Sequence, residues 1–239
     1  MRRLVGPADF GAAFRVSRET LARLATYEDL LRRWQRAMNL VAPSTLDAIW
    51  HRHFADSAQL APLAPTARTW VDLGSGAGFP GLIVAILLAG EPSLRAADSP
   101  SASATAQVGP ARITLIESNA RKCAFLREVV RATQIAGSVS VDILSTRIET
   151  ATTQASLPSP DVVSARAVAP LDKLFALAAP LFASSTVGLF LKGRDVAAEL
   201  QAAEKLWNFQ SELVPSRTER DARIVVVRKL EHKNEGRTS

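Results

Sequence analysis

The chain has 239 residues, 47% hydrophobic and 22% charged, the balance of a folded globular protein with length for one large or two small domains. No apolar run reaches the roughly 18 residues of a membrane span, the basic start lacks the apolar stretch of a signal peptide, and a single cysteine, Cys123, excludes an internal disulfide. Lys and Arg number 29 against 23 Asp and Glu, a net charge of +6 that suits a polyanionic partner in the cytoplasm.

The excess is uneven: residues 1–60 hold nine arginines and six acids. This part reads as helical, with Leu21, Leu24, Leu31, Trp34 and Met38 near one face and Arg23, Arg32, Arg33 and Arg36 mostly elsewhere. A second helical piece at 46–60 contains His51, Arg52 and His53. Histidines two apart on a helix point to different faces, so no metal pair is expected. Contact with RNA phosphate or with the rest of the fold is the expectation for this trio, and Arg36, Arg52 and His53 are candidate RNA residues. Residues 1–64 are expected to form a helical extension.

From residue 69 short apolar runs alternate with helical patterns, the mark of a parallel sheet with crossover helices. The first run, 70–73, ends in Gly74-Ser75-Gly76-Ala77-Gly78-Phe79-Pro80-Gly81, with a helix expected at 80–89. Glycines at 74, 76 and 78 allow a sharp turn and a close ligand. The spacing is not that of a dinucleotide fingerprint, because Phe79 stands where the third glycine belongs. Asp72 would also repel a pyrophosphate. A ligand with a cationic head and an amino group suits the turn better, and S-adenosylmethionine has both.

Residues 90–112, rich in Ala, Ser and Pro, read as a mobile surface insertion. A buried strand at 113–116 ends in Glu117, placed to accept the ribose hydroxyls of a nucleoside. Asp72, Gly74, Ser75, Gly76 and Glu117 are thus candidate cofactor residues. A helix at 119–133 carries Cys123 among apolar neighbours, as packing. Further strands are expected at 139–143, 161–164, 187–191 and 223–229, with a weaker one near 210–214. Helices are expected at 171–182 and 195–206, a polar loop at 150–160, and a frayed tail at 231–239.

Six elements then fall in one order: Trp34 to Leu40, Arg52-His53-Phe54-Ala55-Asp56-Ser57, the glycine turn from Asp72, Leu115-Ile116-Glu117-Ser118 with the residues after it, Ser164-Ala165-Arg166-Ala167, and Leu191-Lys192-Gly193. Over residues 21–230 or so the chain resembles the bacterial 16S rRNA guanine-N7 methyltransferases of the RsmG type, once called glucose-inhibited division protein B. The resemblance implies an α/β, Rossmann-like, seven-stranded methyltransferase sheet in residues 65–230 behind the helical extension. It implies methyl transfer from S-adenosylmethionine to N7 of one guanine in the decoding-region loop of small-subunit rRNA. By the family pattern Gly74 and Phe79 touch the cofactor, Ile148 and Glu149 frame the adenine, and Arg166 is associated with the cofactor. The 90–112 insertion is longer than the family's usual connection.

Guanine N7 carries an in-plane lone pair and no proton, so no general base is required and the residues are expected to act by positioning. An Arg166 contact with N7 would block the reacting atom, so a methionine carboxylate or a phosphate is its expected partner. Lys192 is expected to contact guanine O6 or a phosphate. The substrate is expected to be 16S rRNA in the small subunit or an assembly intermediate, met by a monomer without metal or membrane. The alternatives are a methyltransferase for another RNA, a protein or a small molecule, and a non-catalytic RNA-binding module.

Overall fold

In the computed structural model, residues 3–90, 110–154 and 157–233 are described. Most of the insertion expected at 90–112 and the end of the expected tail lie outside them. Five parallel strands occupy the centre: β1 (Thr69–Leu73), β2 (Ala111–Glu117), β3 (Val139–Ser145), β4 (Val162–Arg166) and β5 (Val187–Lys192). Strands β6 (Trp207–Pro215) and β7 (Arg223–His232) form an antiparallel hairpin whose second strand pairs with β5. The order is β3-β2-β1-β4-β5-β7-β6. Chain order reverses between β1 and β4, and at such a switch point the carboxyl ends of the strands open a crevice. Asp72 pairs in register with Ser164 across it, and Glu117 closes β2 beside it.

Seven expected strands are present. β6 is a full nine-residue strand rather than a weak one, and β7 runs into the span expected to fray. Several expected spans are corrected. The span read as a polar loop from residue 150 is covered up to Gln154 by helix Ile148–Gln154, and the span 46–60 is not one helix. That second span is a 3-10 turn (Pro43–Ala48), a π-helical segment (Trp50–Ala55) and a single α-turn.

In chain order the α-helices are α1 (Pro7–Phe14), α2 (Arg18–Gln35), α3 (Asp56–Ala58), α4 (Gly81–Gly90), α5 (Ala120–Thr133), α6 (Ile148–Gln154), α7 (Leu171–Ala178) and α8 (Val196–Glu204). Ser17 caps α2 by accepting from the Thr20 amide, and Asn119 caps α5 by accepting from Arg121 and Lys122. The span read as helix 171–182 ends as α7 at Ala178, followed by a 3-10 turn around Pro180. Helix α4 is apolar all round, and Leu82 to Leu88 are buried, because it is covered on every side.

One face of the sheet buries Val71, Leu73, Val163 and Ala165 under α6, α7 and α8. The other carries α4 and α5, and here the N-terminal helices join the same core: Phe10, Leu24, Tyr27, Trp50 and Phe54 lie in one cluster with Phe79, Leu82 and Phe125. The extension is therefore packed into the sheet's own interior.

Candidate active site

The turn after β1 is left-handed at all three glycines, with φ of 63° at Gly74, 56° at Gly76 and 93° at Gly78. Two of these positions are also crowded. A Cβ on Gly74 would lie 2.8 Å from Val168 Cγ2, and one on Gly78 would press on Tyr27 and on Leu82 Cδ1. The turn is held from both sides. The Ser75 amide donates to the Ile116 carbonyl at 2.9 Å, and the Gly76 amide donates to Glu117 Oε2 at 2.9 Å. The other oxygen of Glu117 accepts from the Asn119 amide at 2.7 Å. Each carboxylate oxygen keeps a lone pair for a hydroxyl.

Asp72 is fully buried. Its Oδ1 accepts from the Ser164 hydroxyl at 2.6 Å and its Oδ2 from the Gly81 amide at 3.3 Å, while Trp70 Nε1 donates to the Ser164 oxygen at 2.8 Å. Burial pushes the carboxyl up to about 6, and the hydrogen bond from Ser164 opposes this. Asp72, expected at the cofactor, instead clamps β1 to β4 and to the start of α4. Beneath the turn Tyr27 donates its hydroxyl to the Ala77 carbonyl. Phe79 stacks on Tyr27 at 5.5 Å and on the His53 ring at 5.0 Å.

Two cavities open along the carboxyl edge. One, of about 580 Å³, is lined by Gly74, Glu117, Ile148 and Glu149, with Arg147 and Lys173 at its side. The other, of about 670 Å³, is lined by Arg52, His53, Asp56, Arg166, Lys192 and Glu199 among others. Both volumes suit a small ligand or a base. Val168 and Ala169, after β4, border both. The expected nucleoside residues thus converge in the first cavity, and the expected cationic residues in the second. Ser75, Gly76 and Phe79 line neither; Ser75 and Phe79 are buried behind the turn. Arg36 is exposed at the end of α2 and also lines neither.

The larger cavity is charge-paired. Arg52 binds Glu219, Lys192 Nζ lies 2.7 Å from Glu199, and Arg166 Nη1 lies 3.5 Å from Asp56. Arg166 also donates to the Arg52 carbonyl at 3.2 Å and sits 4.9 Å from the Phe79 ring centre. Burial lowers its pKa, and the Asp56 charge works against that. Asp56 Oδ1 is taken by the Thr218 hydroxyl at 2.7 Å and the Gln59 amide at 3.0 Å. The His53 ring is held near pKa 3 by burial, then by Arg166 and Arg52, and is neutral. His51 meets the Thr218 carbonyl at 2.9 Å, so this histidine contacts the fold itself. Among the described residues no group of three or more His, Cys, Asp or Glu side chains is placed to hold a metal ion.

Sequence reasoning missed four contributors: Tyr27, Val168, Glu199 and Glu219. Tyr27 is the chain's only tyrosine, and its solitude was the available signal. Asp56 stood inside a quoted element but was given no role.

A family model described as rRNA small subunit methyltransferase G matches residues 20–94 and 102–225. The chain is 45% identical to a protein named ribosomal RNA small subunit methyltransferase G from Parvibaculum lavamentivorans, over 95% of this chain and 91% of that one. It is 50% identical to one of the same name from Rhodospirillum centenum, over 88% of this chain and 85% of that one. In fold it is similar to an O-methyltransferase from Bacillus cereus solved with SAH, with a TM-score of 0.53 at 14% identity over 86% of this chain and 91% of that one.

Proposed function

The chain belongs to the rRNA small subunit methyltransferase G family, and from that premise we propose that it methylates N7 of a single guanine in the decoding-region loop of 16S rRNA, using S-adenosylmethionine. The observation that supports this reading best is the pair of cavities meeting at Val168 and Ala169, one suited to a nucleoside and the other to a base.

The residues of the smaller cavity fit the cofactor. Glu117 offers oxygens to two ribose hydroxyls, Ile148 gives the adenine an apolar wall, and Gly74 leaves room where a Cβ would meet Val168. When bound, S-adenosylmethionine supplies an electrophilic methyl group on a sulfonium. The protein's own part is positional. N7 presents its lone pair without losing a proton, so no residue need act as a base, and holding the two reactants in line supplies up to roughly 7–11 kcal/mol. Arg166 Nη1 is engaged by Asp56 and the Arg52 carbonyl, and its remaining donors serve the methionine carboxylate or a phosphate rather than N7. In duplex RNA N7 lies in a deep, narrow groove, so the target is an unpaired, extruded guanine. The substrate is 16S rRNA in the small subunit or an assembly intermediate, and a monomer suffices because one chain lines both cavities. Arg52, exposed at the larger cavity, and Arg36, exposed just past the end of α2, are the arginines proposed to meet RNA phosphate.

Methyl transfer from labelled S-adenosylmethionine to small subunits, naked 16S rRNA and bulk tRNA tests this, followed by chemical cleavage at N7-methylguanine. One cleavage position in 16S rRNA, lost with Glu117→Ala, is expected. Label in tRNA, in protein or at another atom of guanine would overturn the substrate assignment.

A further inference from the structure

The wall between the two cavities is braced from outside. Segment 167–170 leaves β4 with Ala167 at φ 55°, a left-handed conformation unusual for a residue with a Cβ. It then lays Val168 against Gly74, where no other residue type would leave space. Two side chains fix its far end. Lys192, at the tip of β5, donates to the Ala169 carbonyl at 2.5 Å. Glu199, on α8, holds Lys192 at 2.7 Å and accepts from the Leu171 amide at 2.9 Å with the same oxygen. Glu199 thus secures the segment at both of its final peptide groups, once directly and once through Lys192. Two of the three donors of Lys192 are used in this way, and its side chain is only 9% exposed. It is therefore poorly placed to take guanine O6 or an RNA phosphate, the two roles expected of it from sequence.

We propose that Glu199 is a positioning residue for methyl transfer: together with Lys192 it fixes segment 167–170 and so sets the passage between the cofactor cavity and the acceptor cavity. This rests on the methyl-transfer reading above. Val168 and Ala169 are the residues common to both cavities among the described lining, together with no catalytic side chain, so their placement decides whether methyl donor and acceptor approach in line. Misplacement by about 1 Å costs on the order of a hundredfold in rate.

The test uses the full chain with Glu199→Gln, Lys192→Met and the double variant. Glu199→Gln keeps an oxygen for the Leu171 amide and loses the charge that holds Lys192, so the fold is expected to persist. Three readouts are taken: amide exchange of peptides spanning 167–171, cofactor affinity by calorimetry, and single-turnover transfer at saturating cofactor over a concentration series of small subunits, which gives both the maximal rate and KM for RNA. Both single variants are expected to exchange faster at 167–171 and to slow transfer by about tenfold to a hundredfold even at saturating cofactor, with KM for RNA unchanged. The double variant should be no slower than the worse single one, because the two residues act as one brace. Unchanged exchange, losses that multiply in the double variant, or a raised KM with an unchanged single-turnover rate would each overturn the proposal. If wild-type protein transfers no methyl to small subunits, the functional reading fails, and the exchange result still decides the brace.

Discussion

Tyr27, deep in α2, donates its hydroxyl to the carbonyl of Ala77 inside the glycine turn, fifty residues away in sequence. A residue of the N-terminal extension thereby supports the underside of the loop that borders the smaller cavity. Both partners are buried, so removing the donor strands a carbonyl. Burial also pushes the tyrosine's pKa well above its ordinary value, so it remains a donor at any working pH. Tyr27→Phe is expected to cost about 1–3 kcal/mol of stability and to weaken cofactor binding. Chemical denaturation and calorimetry on the same preparation read both effects, and full cofactor affinity in a destabilised protein would dissociate the turn from its support.

Gly74→Ala should damage the site more than the fold. The backbone there is left-handed, costing a residue with a Cβ about 1–2 kcal/mol, and the new methyl would stand 2.8 Å from Val168 Cγ2. A displaced Val168 disturbs both cavities. Cofactor affinity is expected to fall about tenfold or more, measured by titration calorimetry; an unchanged Kd would mean that the wall yields freely.

Two buried groups tie stability to pH in opposite directions. The folded pKa of His53, about 3, lies below its ordinary 6.5. Its contribution is present above pH 6.5 and is lost as the pH falls toward 3. Asp72 has a folded pKa of about 6, above its ordinary 3.8. Its contribution is complete below pH 3.8 and is lost as the pH rises through 6. Each slope is at most about 1.4 kcal/mol per pH unit. Denaturation from pH 4 to 7 should show a shallower loss on acidification in His53→Gln and a steeper one in Asp72→Asn. Parallel curves for the three proteins would remove both groups from the balance.

The Arg52–Glu219 pair is exposed on both sides, with side chains 43% and 49% accessible, so its effect on stability should stay below about 1 kcal/mol. Its effect on RNA should be larger. Glu219→Gln frees Arg52 for a phosphate and is expected to tighten small-subunit binding at low salt. Arg52→Ala should weaken it and reduce the salt slope by about one. Filter binding across a salt series reads both, and identical slopes for the two variants would exclude Arg52 as a phosphate contact.

The sheet was legible because its central strands are short branched apolar runs between turn residues, buried on both faces. β6 was only faintly so: it is an edge strand whose side chains are mostly exposed, leaving little apolar pattern. Helix α6 was hidden by its threonines, weak helix formers, and tertiary packing around Ala151 decides it instead. The tight turn after β1 was legible in its glycines, whereas the role of Asp72 was not, since Ser164 comes from another strand. Arg52, Arg166 and Lys192 read as free cations because two of their partners lie far away in sequence, 167 residues off for Glu219 and 110 for Asp56. Charge pairing at such separations leaves no local pattern.

The aromatic stack Tyr27–Phe79–His53 gives the N-terminal extension and the glycine turn a common mechanical element. A graft of the first sixty residues onto another methyltransferase would carry its arginines but leave an aromatic socket unfilled on both sides. The surface charge of the extension can therefore be altered one residue at a time with the buried rings kept, whereas the segment cannot be exchanged as a cassette without rebuilding the stack.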